Sequence, residues 1–236
     1  MPPRPKCTRE EVAMTALTIV KEDGLDALTA RELGKRLGTS VSPVFTLFNS
    51  MDEVKLAARE LALREFKEYV SDYKEYTPAF KRIGMMLVSY GMHEPELFKL
   101  LFMQEHKERQ SFAASLGDLD DIGDVCMELL QRDYGMTQEE ARLILEQMWT
   151  NAYGLGVMCA MGVCNLEEEE IGRRLGIMFA GLTILLKSGK LEEVYGDVER
   201  NSAGTYHGIP VSNLPYVAEN AEGEKKMKIS KEKQGK

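Results

Sequence analysis

The chain has little of several features that define whole classes of protein. Its longest apolar run, Gly176 to Leu186, has eleven residues, whereas a helix that crosses a bilayer needs roughly 18 or more. The first seven residues are proline-rich and basic, and they lack the apolar core of a secretory signal. We therefore expect a cytoplasmic protein without a membrane segment.

Residues with metal or catalytic chemistry are also few. The four cysteines form no CxxC pair, and the three histidines are far apart in the sequence. The chain has no Gly-rich phosphate loop, no GxSxG and no HExxH. We predict that the protein is not an enzyme, that it holds no metal or cofactor, and that its cysteines are free thiols. The cysteines are Cys7, Cys126, Cys159 and Cys164, and the histidines are His93, His106 and His207.

Charge is unevenly distributed along the chain. The formal net charge is −8, yet residues 1–55 contain eight Lys or Arg and eight Asp or Glu, so the excess of acid lies in the remainder. Salt screens charges over roughly 8 to 10 Å, which separates the two parts electrostatically. The acidic body therefore does not prevent the neutral N-terminal part from approaching the phosphates of nucleic acid.

What the sequence has in abundance is helix signals. Ser or Thr precedes Glu by three residues at Thr8, Thr29, Ser50 and Thr137, the pattern of a capping box. Apolar residues recur at helical spacing, and alternation typical of strands is absent before the tail. The sequence predicts an all-α fold with helices over 8–23, 29–37, 40–47, 50–73, 78–92, 96–103, 122–134, 138–163 and 167–187. Residues 104–121 are predicted to be a loop or a broken helix, and 189–236 an irregular, mobile tail.

The first three predicted helices have the arrangement of a helix-turn-helix. Helices 29–37 and 40–47 are separated by a short turn that begins at Gly38, and helix 8–23 precedes them as a brace. Gly34 lets the two helix axes approach closely, and Pro43 falls in a first helical turn, where no N–H bond is lost. The alternative is a compact N-terminal bundle without a role in DNA binding.

The segment from Leu28 to Val54, LTARELGKRLGTSVSPVFTLFNSMDEV, resembles the signature of the TetR/AcrR family of transcription regulators. The resemblance covers the first 55 residues closely and the rest only in its helix pattern. It implies an N-terminal DNA-binding domain followed by a helical ligand-binding and dimerisation domain. The matching residues are Leu28, Thr29, Arg31, Leu33, Leu37, Gly38, Ser40, Val44 and Phe48.

Three residues depart from the family pattern. Phe45 stands where the family has a phosphate-contacting tyrosine, Leu47 where it has histidine, and Met51 where it has a phosphate-binding lysine. Arg4 and Lys6 are placed to reach the backbone or the minor groove from a flexible arm. The resemblance implies that the residues facing DNA are Thr29, Arg31, Ser40, Val41, Ser42, Pro43, Phe45 and Thr46.

The last two long helices indicate self-association. Residues 149–163 and 177–186 are almost wholly apolar or small, and Gly172, Gly176 and Ala180 recur every four residues. With Met161 and Leu185, these residues are the predicted interface of a homodimer, in which the two-fold presents two recognition helices to a near-palindromic site. The alternative is one large core without a partner.

A pocket for an unidentified small molecule is expected between the long fourth helix and the last helices. Its candidate lining consists of adaptable methionines and aromatic residues; the alternative is an ordinary Met-rich core. The candidates are Met85, Met86, Tyr90, Phe98, Phe102, Met103, Trp149, Tyr153 and Met158.

These observations predict three regions: a DNA-binding domain over 1–50, a ligand-binding and dimerisation domain over 51–188, and the tail over 189–236. The predicted function is that of a TetR-like repressor which binds operator duplex DNA as a homodimer and is released by its ligand. The competing interpretation is a helical ligand-binding or protein-interaction module that has lost DNA binding, as the three departures from the family pattern allow.

Overall fold

The computed structural model describes residues 7–105 and 121–189, with two short segments at 205–206 and 209–210. These ranges contain nine α-helices, so the predicted all-α class is confirmed for the described residues. The helices are α1 Arg9–Asp23, α2 Ala30–Arg36, α3 Ser42–Leu47, α4 Met51–Val70, α5 Ala79–His93, α6 Pro95–Phe102, α7 Asp121–Tyr134, α8 Gln138–Ala160 and α9 Glu168–Lys187.

Two strands that the sequence did not predict lie near the C-terminus. β1 Thr205–Tyr206 and β2 Ile209–Pro210 pair antiparallel and have two residues each. The rest of the predicted tail after Gly189, most of the predicted loop (106–120) and the arm with Arg4 and Lys6 lie outside the described residues.

Several predicted helices are shorter in the structure. The helix predicted over 50–73 ends at Val70, because the chain tightens into a 3₁₀ turn over Ser71–Glu75. The helix predicted over 138–163 ends at Ala160, ahead of Gly162 with its left-handed φ of 68°. α3 begins at Ser42, two residues after its predicted start.

The four predicted capping boxes are complete at two positions. Thr8 and Thr137 each accept a bond from the backbone N–H three residues on, and the Glu at that position accepts one in return. The hydroxyls of Thr29 and Ser50 also cap their helices. Their glutamates have other partners, since Glu32 binds Lys35 and Arg36, and Glu53 binds Asn49 and Arg9.

Residues Met1–Ala180 form one compact unit and Gly181–Lys236 form another. In the first unit, α1 packs against α4 and α6, and α5 packs along α8. The contact of α1 with α4 crosses the predicted boundary between residues 50 and 51, and the three-region division stays a prediction. In the described part of the chain, no helix combines the length and apolar character needed to span a bilayer.

Helices α5 and α8 cross at a point that only glycine allows. A Cβ added to Gly91 would lie 2.5 Å from the carbonyl oxygen of Gly156, and a Cβ added to Gly156 would lie 2.7 Å from Cζ of the buried Phe98. The two backbones are therefore in direct contact. Because α5 and α8 form the centre of the unit, this crossing sets the spacing of the helices around them.

We expect Gly91→Ala to lower the free energy of unfolding by about 3 kcal/mol, because the added methyl meets backbone and forces the helices apart. Gly154→Ala, on the partner helix α8, is the control, since its Cβ would enter open space. That change should stabilise the protein by about 0.5 to 1 kcal/mol, as alanine favours helix over glycine. Urea denaturation measures both, and equal effects would contradict this packing.

Candidate functional site

Helix α3 has one buried and one exposed side. Val44 on α3 and Phe48 directly after it are 0% and 1% exposed and form its inner side. Ser42, Phe45 and Thr46 lie on the exposed side, and Phe45 keeps 44% of its surface accessible. This short helix therefore presents hydroxyls and one aromatic ring to solvent.

The residues predicted to face DNA are mostly accessible. Thr29, Arg31, Ser40, Ser42, Phe45 and Thr46 are exposed, and Val41 and Pro43 are half-buried. The hydroxyl of Thr46 donates to the carbonyl of Pro43 at 2.6 Å, and the hydroxyl of Thr29 accepts from the backbone of Glu32. Both oxygens are thus held in fixed positions, and the Thr29 hydroxyl has no acceptor for its proton among the residues that the structure describes.

The turn between α2 and α3 depends on two glycines. Gly38 has a φ of 65°, which a side chain disfavours. The N–H of Thr39 bonds to the carbonyl of Gly34 at 3.0 Å, and a Cβ on Gly34 would lie 3.1 Å from the Thr39 carbonyl oxygen. Gly34 therefore makes room for the turn itself, which is a more local role than the predicted approach of the two helix axes.

Arg9 joins α1, α3 and α4. Its guanidinium lies 4.1 Å from the ring centre of Phe48 and donates to the carbonyl of Leu47 at 2.7 Å and to the carboxylate of Glu53 at 2.6 Å. Hydrogen bonds from the backbone of Asn49 and from Arg9 hold the pKa of Glu53 below its usual value. The end of α3 is thus fixed to the first turn of α4.

Most cations near α3 are already paired. Arg36 binds Glu22 and Asp23, Lys35 binds Glu32, and Lys21 binds Glu94. Among the described residues up to position 55, Arg31 and Lys55 have no ion-pair partner. The sequence interpretation overlooked Lys55, which lies one helical turn after Met51, the position where the resembled family has its lysine.

An apolar cavity of about 80 Å³ lies among α4, α5, α7, α8 and α9. It has room for several water-sized groups but not for a large ligand. The single contribution of α4 is Phe66, near the end of that helix. The lining consists of Phe66, Pro78, Phe80, Lys81, Ile83, Gly84, Leu87, Ile122, Cys126, Tyr134, Leu145, Met148, Trp149, Ala152, Leu175, Gly176 and Phe179.

Of the nine predicted pocket residues, Trp149 lines this cavity. Tyr90, Phe98, Phe102 and Tyr153 belong instead to an aromatic cluster that meets the cavity at Trp149 and at Phe66. Tyr153 also donates its hydroxyl to the carbonyl of Phe102 at 2.7 Å. The other four predicted residues lie elsewhere: Met85 next to Gly172, Met86 buried on α5, Met103 half-buried after α6, and Met158 43% exposed on α8.

Polar groups in and near this region are desolvated. Burial raises the pKa of the Cys126 thiol to about 12, so that this cavity-lining group stays neutral. Burial also raises the pKa of Tyr90, whose hydroxyl has no hydrogen-bond partner among the described residues. The interior around the cavity is therefore apolar and neutral apart from Lys81.

Arg82 fixes the other end of α4. Its guanidinium bonds to Asp72 at 2.8 Å and to Glu168 at 2.6 Å, and it stacks 4.1 Å from the ring centre of Tyr76. It is the less exposed partner in both ion pairs, at 16%. These contacts tie the 3₁₀ turn that follows α4 to α5 and to the first turn of α9.

The five predicted interface residues differ in their surroundings. Gly172 is buried against Lys81 and Met85 of its own chain, and Gly176 lines the cavity. Met161 is 57% exposed, Ala180 is exposed and Leu185 is half-buried. Further apolar side chains nearby in the sequence are accessible, namely Met158, Val163, Ile177, Met178 and Ile184.

The comparisons with known proteins assign no family to this chain. No protein-family model matches the chain, and no curated protein matches it. Within the described residues, no group of three or more His, Cys, Asp or Glu side chains is arranged to hold a metal ion. The described residues form an all-helical fold apart from two strands of two residues each. A narrower protein class is proposed below.

We expect Arg9→Ala to speed amide hydrogen exchange in α3 and to lower the melting temperature, because the link from α3 to α4 loses a hydrogen bond, an ion pair and a stacked ring. Arg31→Ala is the matched control, since Arg31 is exposed and unpaired in the described region. Unchanged exchange at Leu47 and Phe48 in the Arg9 variant would show that the link does not hold α3.

Proposed function

We propose that this protein is a DNA-binding transcription regulator resembling the TetR/AcrR family, which acts as a homodimeric repressor and is released by a small molecule. The observation that carries the proposal is helix α3, whose inner residues are fully packed while Ser42, Phe45 and Thr46 face outward. A recognition helix needs this combination, since it must stand rigidly on the surface and present side chains to a major groove.

The phosphate contacts in this proposal come from few cations. Arg31 and Lys55 are the cations without ion pairs in the described residues up to position 55. Arg31 lies in the first turn of α2 and Lys55 in the second turn of α4. Both would contact the backbone beside the groove that receives α3. Ser42, Thr46 and the ring of Phe45 would meet base edges and thymine methyl groups.

In the proposed release of DNA by the ligand, α4 connects the cavity to α3. The first turn of α4 is bonded through Glu53 and Arg9 to the end of α3, and Phe66 lines the cavity. The cavity is small, so a ligand larger than its volume of about 80 Å³ would push its walls apart and move Phe66. We infer that the ligand tilts α4 and carries α3 away from its DNA-binding position, provided that it binds the tilted state more tightly.

Pairing of two chains is supported by apolar residues that the described part of the chain leaves uncovered. Met161 and Val163 after α8, with Ile177 on α9, are 57%, 67% and 62% exposed. Exposed apolar side chains mark an interaction surface where they form a contiguous patch. A second copy contributing the same residues across a two-fold axis would cover them, as the sequence interpretation predicts.

The second candidate is a helical module that binds a ligand or a protein but not DNA. The observation in its favour is the pairing of Arg9, Lys21, Lys35 and Arg36 within the chain, which leaves little positive charge for phosphates. The two candidates differ in the ionic strength dependence of duplex binding, because phosphate contacts release counterions and a module without them has none.

We expect the protein to bind a fluorescently labelled duplex at low salt, with affinity falling at least tenfold between 50 and 200 mM salt as counterion release requires. Arg31→Ala and Lys55→Ala should each weaken binding and reduce the salt slope by about one per protomer. Arg142→Ala removes an exposed arginine of α8 and should change nothing. Fluorescence anisotropy measures all four proteins. Equal losses in all three variants, or no binding by the parent protein, would support the second candidate.

We expect Ile177→Lys to shift the protein from dimer to monomer in sedimentation velocity, because it places a charge in an apolar contact between two chains. Leu56→Lys is the control, as Leu56 on α4 is 54% exposed and belongs to no predicted interface. A parent protein that sediments as a monomer at micromolar concentration would refute the dimer.

A further inference from the structure

The cavity has an almost wholly apolar wall with a single charge in it. Among the lining side chains that the structure describes, Lys81 is the one with a formal charge, and burial raises the pKa of the Cys126 thiol so that this thiol stays neutral. No carboxylate is among the lining residues within 7–105 and 121–189. The electrostatic character of the site is therefore set by one lysine.

Lys81 has no counter-charge in the part of the chain that the structure describes. No carboxylate lies within ion-pair distance of its Nζ among those residues, although its neighbour Arg82 binds both Asp72 and Glu168. The Lys81 side chain is half-buried. An ammonium held beside apolar surface without a partner favours the binding of an anion.

The position of the ammonium is set by the glycines of α9. A Cβ at Gly172 would lie 3.4 Å from Nζ of Lys81, and a Cβ at Gly176 would lie 3.9 Å from it. Gly176 itself lines the cavity, so the ammonium lies beside the part of α9 that contributes to the cavity wall. Side chains at the two glycines would occupy the space beside Lys81, which the small residues leave open.

The other polar groups of the wall are hydrogen-bond donors. Trp149 carries an indole N–H and Tyr134 a phenol O–H, and neither is bonded within the described residues. An indole N–H can only donate, and a phenol proton is available to an acceptor. If a ligand head reaches either group, its acceptor oxygens would be the atoms that bond there.

We propose that the effector is a small apolar carboxylate, whose hydrocarbon part occupies the cavity beside Phe66 and whose carboxylate pairs with Lys81. One lysine matches one negative charge, and the cavity of about 80 Å³ limits the apolar part to a short chain or a single ring. Cationic apolar compounds are excluded because Lys81 repels them. This inference rests on the proposed function, since it specifies the chemistry of the ligand in that same cavity.

The test uses hexanoate, 1-hexanol and hexylamine, three probes that share a chain length and differ in their head group. Trp149 is the single tryptophan of the chain, so its fluorescence reports occupancy of the cavity directly. We expect hexanoate to change the emission with a dissociation constant about tenfold below that of hexanol, as a hydrogen-bonded charge pair gives. Hexylamine should bind more weakly than either.

Variants at Lys81 distinguish the effect of its charge on ligand binding from the effect of its side-chain volume. Lys81→Met keeps most of the side-chain volume and should weaken hexanoate binding about tenfold while hexanol binding stays unchanged, which also shows that the variant is folded. Lys81→Arg should retain the preference for the carboxylate. Lys74→Met is the control, because Lys74 is an exposed lysine outside the cavity lining.

The outcomes distinguish this inference from the proposed function. Hexanol or hexylamine binding as tightly as hexanoate, or a Lys81→Met variant that binds hexanoate normally, would overturn the carboxylate assignment and leave a ligand-binding cavity in place. Absence of any fluorescence change with all three probes would overturn the carboxylate assignment and remove the support for ligand sensing in this cavity, while DNA binding would be judged separately by anisotropy.

Discussion

Helix α4 is a continuous rod between two fixed ends, and the proposed behaviour of the protein depends on that constraint. At its start, Glu53 accepts a bond from Arg9, which also holds the carbonyl of Leu47 at the end of α3. Phe66, which lines the cavity, follows Ser50 by sixteen residues. At a rise of 1.5 Å per residue, this is about 24 Å along the helix. A helix transmits displacement over that length because its backbone bonds leave it little freedom to bend. In the proposed mechanism, movement of Phe66 would therefore be passed along α4 to α3 through the bonds of Arg9.

The rest of the first unit keeps α4 in place so that this transmission is specific. The backbones of α5 and α8 are in direct contact at Gly91 and Gly156, so the two helices cannot move closer together in the centre of the unit. Arg82 links the turn after α4 to the first turn of α9 through Asp72 and Glu168. A ligand in the cavity, as proposed, would thus meet packed helices on most sides. Packed interiors respond to such a disturbance by shifting whole helices, because they do not deform continuously.

The helices of this fold could be predicted from the sequence because their determinants are local. Thr8 and Thr137 cap their own helices, and Pro43 lies in the first turn of α3, as the sequence indicates. The cavity could not be predicted in the same way. Residues 80, 81, 83, 84 and 87 form its α5 wall, and residues 145, 148, 149 and 152 form its α8 wall. Each set follows helical spacing, but α5 is buried on several sides, so the sequence does not tell which side meets a void. Selecting methionines and aromatic residues by type identified Trp149 alone and placed four other residues in the adjoining aromatic cluster.

Contacts within the chain also give some residues a role that differs from the one that their sequence pattern predicts. Gly172 was predicted to face a second copy, and in the structure its missing side chain makes room for Lys81. Arg9 and Arg36 are two of the basic residues of the N-terminal segment. In the structure Arg9 forms an ion pair with Glu53, and Arg36 forms ion pairs with Glu22 and Asp23. Ion pairs between residues distant in sequence decide which charges remain for a partner, and no sequence pattern records them.

The proposal that α3 is the DNA-contacting element is tested most directly by hydrogen–deuterium exchange of the intact protein, with and without duplex DNA at low ionic strength. Contact with a major groove predicts slower exchange in peptides covering α3 and the first turns of α2 and α4, with α7 and the cavity wall of α8 unaffected. Unchanged exchange in α3, or protection confined to α7 and α8, would contradict the proposal.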